Sequence, residues 1–217
     1  MKHIRKQPEP VEFVQWKSDF PSWNEGRVAK YDDLLNPLKN QVKDSLITEQ
    51  GKICSYCGVR IHRRNTHIEH LKPQHNCTSE ETVDYQNIVA SCEGENRLQH
   101  CGHNKHEWYD ANLFVSPLRE DCEQFFTYTL NGEMEPCYDP VKGPMAAETI
   151  RQLGLDTAKM NALRKAALDG VLMMDDFSVE LIDFFLQECQ VPNEEGELLE
   201  FAAYLQGVLG VLRSKMV

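Results

Sequence analysis

The stretch THIEHLKP, residues 66–73, sets His67, Glu69 and His70 within four positions and follows them with Pro73, in a chain of 217 residues that holds eight histidines. An imidazole with an ordinary pKa of about 6.5 takes a proton from water near neutral pH, and a carboxylate beside it can hold a divalent cation. Such a pair suits hydrolysis. The same residues also read as a polar surface turn. His67 and Glu69 are two residues apart, so on a strand they share a face; there His67 either touches substrate or metal or is a solvated strand histidine.

Cysteine pairs flank this stretch. Cys54 and Cys57 form a C-x2-C pair before a glycine, and SCEGENRLQHC supplies Cys92 and Cys101. Two chelating loops of this kind offer four thiolates to a tetrahedral Zn2+, and the metal then supplies folding energy that apolar side chains would otherwise provide. The spacing points to structural zinc ahead of metal-free thiols or a redox pair. The second loop is longer than usual, so His100 or His103 can replace a thiolate. Cys122, Cys137 and Cys189 lie apart and read as small buried apolar residues.

Bulk composition narrows the setting. No run of roughly eighteen apolar residues occurs, and MKHIRKQPEP lacks the apolar stretch of a secretory signal, so the chain reads as cytoplasmic with no membrane partner. The net charge is -11, of which residues 1–110 carry -1 and residues 111–217 carry -10. The acid belongs to the C-terminal half, and the N-terminal half neither favours nor forbids a phosphate polymer. Arg60, Arg63, Arg64 and Lys72 form a local basic patch suited to phosphate contacts, although Arg63 and Arg64 read equally well as a solvated turn. His62, His75 and His106 read as surface residues. HExxH and HxxEH are absent, which removes the zinc-protease signatures.

Something must position these groups. Residues 52–110 hold too few aliphatic side chains for a conventional core, so the thiolates have to pin them. The first thirty residues, with QPEPVEF and DFPSW, read as an extended arm. Leu34, Leu35, Leu38, Val42 and Leu46 recur at helical steps up to a stop at Gly51. After Pro117, FFTYTLNGEMEPCY predicts a hairpin with a type I′ turn at Asn131–Gly132. Helices follow: MAAETIRQL ending at Gly154, TAKMNALRKAAL capped by Asp156 and stopping at Gly170, and SVELIDFFLQEC from Ser178. In the last one Leu198, Phe201, Ala202, Leu205, Val208, Leu209 and Leu212 form a single stripe, with Glu194, Glu195 and Glu197 at the N-terminal end of its dipole. The fold class is α+β in three parts: an arm and helix over 1–50, a zinc-stapled core over 51–115, and a hairpin with acidic helices over 116–217.

IEHLKP, then DYQNIVASC, then CGHNK, in this order inside the cysteine frame, resemble the HNH (ββα-metal) nuclease motif. The resemblance implies a zinc-stapled ββα core and a metal-dependent endonuclease. Position by position it implies Glu69 as the acidic ligand of a catalytic Mg2+ or Mn2+, His70 as the general base, Asn87 as the residue that orients the base's loop, and His103 as the second metal ligand, with Lys105 at the substrate. One departure stands out. Gly102 separates Cys101 from His103 and Lys105 follows His103 by only two, so Asn104 remains an alternative ligand.

Over residues 1–170 the chain is similar to one branch of HNH proteins, the PtuB-type nuclease subunit of Septu anti-phage defence systems, also found with retrons. MKHIRKQPEP with the following WK, CSYCG, NIVASC, CGHNK and TIRQLGLDTAKMNALRKAAL carry that likeness. It implies an ATPase partner with an ABC or SMC-like head and, in the retron-linked version, a reverse transcriptase with its RNA–DNA product. Double-stranded DNA is the default substrate, and a structured RNA such as tRNA stays open. The competing readings are a catalytically silent zinc module that binds nucleic acid or protein, and a zinc-stapled scaffold.

Overall fold

Phe13 stacks on Trp16, whose ring meets Phe20 edge-on, with ring centroids 5.7 and 5.4 Å apart, and this stripe makes Val11–Trp23 a helix, α1. The extended arm expected there is corrected accordingly. Pro10 precedes the first turn, where its missing N–H costs nothing, and Pro21 falls within the last turn. The chain is seen in a computed structural model that describes residues 1–93, 100–174 and 178–216. Helix α2, Leu38–Glu49, buries Val42, Leu46 and Ile47.

Strand β1, Thr66–His70, pairs antiparallel with β2, Ile88–Cys92, with Thr66 opposite Cys92 and His70 opposite Ile88. The loop between them contains the single helical turn α3, Ser79–Thr82, which Thr78 and Glu81 cap reciprocally. Another single turn, α4, Gly102–Lys105, follows β2. Strands β3, Phe126–Tyr128, and β4, Met134–Pro136, form the expected hairpin. Its turn is different from the expected one, because Gly132 alone of the central pair has positive φ (86°). Gly132 N–H donates to Thr129 O and Thr129 N–H to Glu133 O, which is a tight turn closed by a glycine bulge.

Helix α5, Lys142–Leu153, ends on left-handed Gly154 as its sequence predicts. The cap of α6, Ala158–Leu172, is Thr157, whose side chain accepts from Met160 N–H; Asp156 instead accepts from Met134 N–H on the hairpin, and Gly170 lies inside the helix. Ser178 caps α7, Val179–Glu188. Helix α8, Ala202–Ser214, starts later than its apolar stripe suggests, because Phe201 sits at φ 57°. The acids before it therefore stand clear of its end, and Glu197 pairs with Lys52 at 3.1 Å.

The interior runs through the longer helices and both pairs of strands. Ile53, Tyr56, Ile61, Ile68, Val83, Tyr85, Ile88 and Val89 are buried with Leu46, Phe114, Phe201 and Leu205 in one cluster. Residues 52–110 are thus not coreless; their aliphatic side chains are few, and neighbouring helices complete the packing. Arg164, 2% exposed, ties hairpin to helices by donating to Gly132 O, Leu155 O and Asn161 Oδ1.

A strap from the C-terminal part closes over the C-x2-C knuckle. Leu198 N–H donates to Gly51 O, Phe201 N–H to Gly58 O, and the Glu200 carboxylate accepts from Arg60 N–H. Gly58 has φ 82°, and a Cβ there would stand 3.2 Å from Phe201 Cα, so this approach needs glycine. No helix among the described residues is long and apolar enough to cross a membrane.

Candidate active site

The sulfurs of Cys54, Cys57, Cys92 and Cys101 all lie within 4.8 Å of one another. Cys54 is 3.8 Å from Cys101, and Cys57 is 3.7 Å from Cys92. Ligand bonds of ~2.3 Å make a tetrahedron whose edges are about 3.8 Å, so the group fits a tetrahedral metal such as zinc and is far from disulfide distance. Burial pushes these thiols up; hydrogen bonds from its neighbours nevertheless bring Cys54 well below the usual thiol range, while Cys101 is driven well above it. Four thiolates cannot share this volume without a cation. His100 does not replace a thiolate: its Nδ1 sits 3.2 Å from Cys101 Sγ and 3.7 Å from Cys92 Sγ, behind the four-sulfur group.

The polar residues of the cleft come from the end of β1, the loop that follows it and the residues just after α4. His70 closes β1 and is 6% exposed. Its Nε2 lies 2.9 Å from Thr82 O, a group that only accepts, so Nε2 carries the proton and Nδ1 keeps the lone pair. Tyr31 meets the ring edge to face at 4.6 Å. Burial favours the neutral imidazole and lowers the pKa of His70 from its ordinary value. His70 and Glu69 line an open cleft of about 360 Å³ together with Pro73, His75, His106 and Glu107. His75 and His106, expected as plain surface residues, are thus at its rim.

Asn87 clamps the loop that carries Thr82. Its Oδ1 accepts from Lys72 N–H at 2.8 Å, and its Nδ2 donates to Lys72 O at 3.1 Å and Glu81 O at 3.2 Å. Both ends of the loop are therefore tied to one side chain. The chain of contacts runs from Asn87 through Glu81 and Thr82 to the ring of His70.

Glu69 is held from behind. Lys105, 1% exposed, pairs with Glu69 Oε1 at 3.0 Å and donates to His70 O at 2.8 Å. Its burial corrects the expectation that Lys105 meets substrate: the ammonium braces the pair, since a buried carboxylate left without a counter-charge costs several kcal/mol. Burial alone would raise the Glu69 carboxyl, but the hydrogen bond of His67 and the charge of Lys105 hold it below the usual range.

Glu69 and His103 do not contact each other. Between them stands His67, with Nε2 3.5 Å from Glu69 Oε2 and its ring 4.7 Å from that of His103. His103 Nε2 is 2.8 Å from Glu93 Oε2, and the ligand atoms of His67, Glu93 and His103 all fall within 4.8 Å. Asn104 is turned away, donating to Gln152 O on α5. Glu93 went unnoticed in the sequence, although its place directly after Cys92 is a usable signal.

The basic patch is largely spent on the protein itself. Arg63 pairs with Asp44, Lys72 with both oxygens of Glu81 at 2.8 Å, and Arg60 with Leu198 O and Gly51 O, while Arg64 is exposed. Phosphate would have to displace two of these pairs.

No family model matches the chain. Over 140 residues it is 29% identical to the "Retron Vc95 putative HNH endonuclease" of Vibrio cholerae, covering 62% of this chain and 67% of that protein. It is 25% identical over 208 residues to the "Retron Ec83 putative HNH endonuclease" of Escherichia coli, covering 77% of this chain and 79% of that one. By these likenesses the chain is similar to HNH endonucleases, among members named for retrons.

Proposed function

We propose that the chain is a metal-dependent HNH endonuclease on a zinc-stapled ββα core, cutting phosphodiester bonds in double-stranded DNA, with structured RNA as the alternative polymer. The observation that carries the reading is the set of contacts at His70: Nε2–H is fixed on Thr82 O and the other nitrogen keeps its lone pair, in a ring that lines the cleft. An imidazole held this way accepts a proton from water near neutral pH. A divalent cation in the group of imidazoles and carboxylates around His103, beside Glu69, supplies charge stabilisation for the phosphate and the leaving oxygen. Asn87 fixes the base through its loop, and Lys105 keeps Glu69 ionised at the cleft wall. Cys54, Cys57, Cys92 and Cys101 hold zinc and take no part in the chemistry.

In the cell the chain acts as the effector subunit of a Septu-type or retron-linked anti-phage complex, beside an ATPase with an ABC or SMC-like head and, in the retron case, a reverse transcriptase and its RNA–DNA product. The resemblance over residues 1–170 and the retron names of the two relatives support this reading. The test incubates the protein, alone and with the ATPase and nucleotide, with plasmid and with total RNA in Mg2+, Mn2+ or EDTA. Cutting is expected with metal only and is expected to fall by about 10²- to 10⁴-fold in His70→Ala with folding intact. Wild type that cuts nothing under any of these conditions makes the chain a silent zinc module.

A further inference from the structure

We infer that His67, Glu93 and His103 are the inner ligands of the catalytic cation, and that this set selects a first-row metal such as Mn2+ over Mg2+. The inference deepens the nuclease reading and depends on it only for the cation's being catalytic.

Geometry comes first. The Glu93 carboxylate spans the two imidazoles, with Oε2 2.8 Å from His103 Nε2 and Oε1 3.8 Å from His67 Nδ1. Neighbouring ligands in a shell with bonds of ~2.1 Å stand about 3 Å apart, so small side-chain shifts gather all three on one ion. The second observation is independent of that spacing. His67 Nδ1 is a buried atom with no hydrogen-bond partner. Stripping an imidazole nitrogen of water costs free energy unless something else takes its lone pair. Its other nitrogen, Nε2, faces Glu69 Oε2 at 3.5 Å, which puts the proton on Nε2 and directs the lone pair of Nδ1 towards Glu93. A carboxylate behind a histidine is the arrangement that orients metal-binding imidazoles.

Space gives the third. A Cβ on Gly102 would stand 2.5 Å from His67 Nε2 and 2.6 Å from Glu69 Oε2. Glycine here lets α4 settle onto β1 and bring His103 to His67.

The donor set decides the class of metal. Mg2+ prefers oxygen and keeps several waters, whereas two imidazoles with one carboxylate suit Mn2+, Co2+, Ni2+ or Zn2+. Glu69, its Oε1 occupied by Lys105, acts from outside the shell. Glu93 is half-exposed, so the cation remains open to a phosphate on that side.

The experiment uses the full chain, dialysed against a weak chelator until only the four-thiol metal remains, then titrated calorimetrically with Mn2+ or Mg2+. Wild type is expected to bind one Mn2+ per chain, about tenfold or more tighter than Mg2+. Glu93→Gln and His67→Ala are each expected to weaken Mn2+ by about tenfold or more, with four-thiol metal content and melting temperature unchanged. Should His67→Ala fail to fold, the half-exposed Glu93→Gln carries the test alone. Equal Mn2+ affinity in wild type and Glu93→Gln, or Mg2+ bound as tightly as Mn2+, overturns the assignment while the nuclease reading stands. Protein that binds Mn2+ through these residues yet cuts no nucleic acid refutes the nuclease reading and leaves the ion site intact.

Discussion

Two clusters of side chains with the donor types and spacing to hold a metal lie next to each other in this molecule, and they differ in the properties that decide use. The thiol group is buried, has four soft ligands and leaves no position free. The imidazole and carboxylate group is half-buried and has three ligands, and it meets the cleft only through Glu69, which lines the cleft and lies 3.5 Å from His67. Closed shells hold folds together; open ones do chemistry. The two are also unequal in dependence. Glu93 follows Cys92 directly, His103 lies two residues past Cys101, and His67 pairs with Ser91 next to Cys92. The sulfurs therefore place the second cluster, whereas nothing in the second cluster is needed to place the sulfurs.

That asymmetry can be broken by experiment. The largest effect belongs to the closed group: Cys54→Ser or Cys92→Ser is expected to destabilise the chain by about 4 kcal/mol or more and to empty both metal sites together, read by calorimetric melting and elemental analysis. A variant that loses zinc but retains the second ion would erase the claimed dependence. Next comes Lys105→Met, which leaves Glu69 buried without its counter-charge. It is expected to cost about 3 kcal/mol while the apparent affinity for substrate stays constant, and a weakened KM with unchanged melting would return Lys105 to the substrate.

Asn87→Ala removes the loop clamp and leaves the Lys72 N–H without its acceptor. The expected loss is about 1–3 kcal/mol in stability, and about 10²-fold in cutting through misplacement of His70. Zinc content should not move. A pH profile gives a smaller effect. Burial favours the neutral ring and puts the pKa of His70 below the ordinary 6.5; the base is competent above that lowered value, so the acid limb of kcat/KM should be centred below 6.5. An acid limb centred above 6.5 would point to another base. Smallest is Arg63→Ala, which breaks only the surface pair with Asp44 and should change melting by under about 1 kcal/mol and cutting hardly at all.

The parts of the molecule that could be read in advance are those where spacing along the chain equals a contact in space. The four cysteines, the hairpin around Gly132, the stop at Gly154 and the helix start at Ser178 are of this kind. Helix α1 was hidden because prolines at tolerated positions look like breakers, and the start of α8 was misjudged because an apolar stripe does not reveal that Phe201 turns left-handed. The second cluster needed three segments to converge. Its missing member, Glu93, lies outside the motif, and the inward turn of Lys105 follows from packing that no local pattern encodes.

The strap over the knuckle has a consequence for how the molecule is made. Translation delivers all four cysteines long before it delivers Leu198 and Phe201, whose backbone groups cover the carbonyls of Gly51 and Gly58. A nascent chain on the ribosome can thus gather its zinc, yet the surface behind the knuckle stays wet and unsupported until the distal helices emerge. Closure of the knuckle thereby waits on residues 198–201, far downstream of the cysteines that it covers.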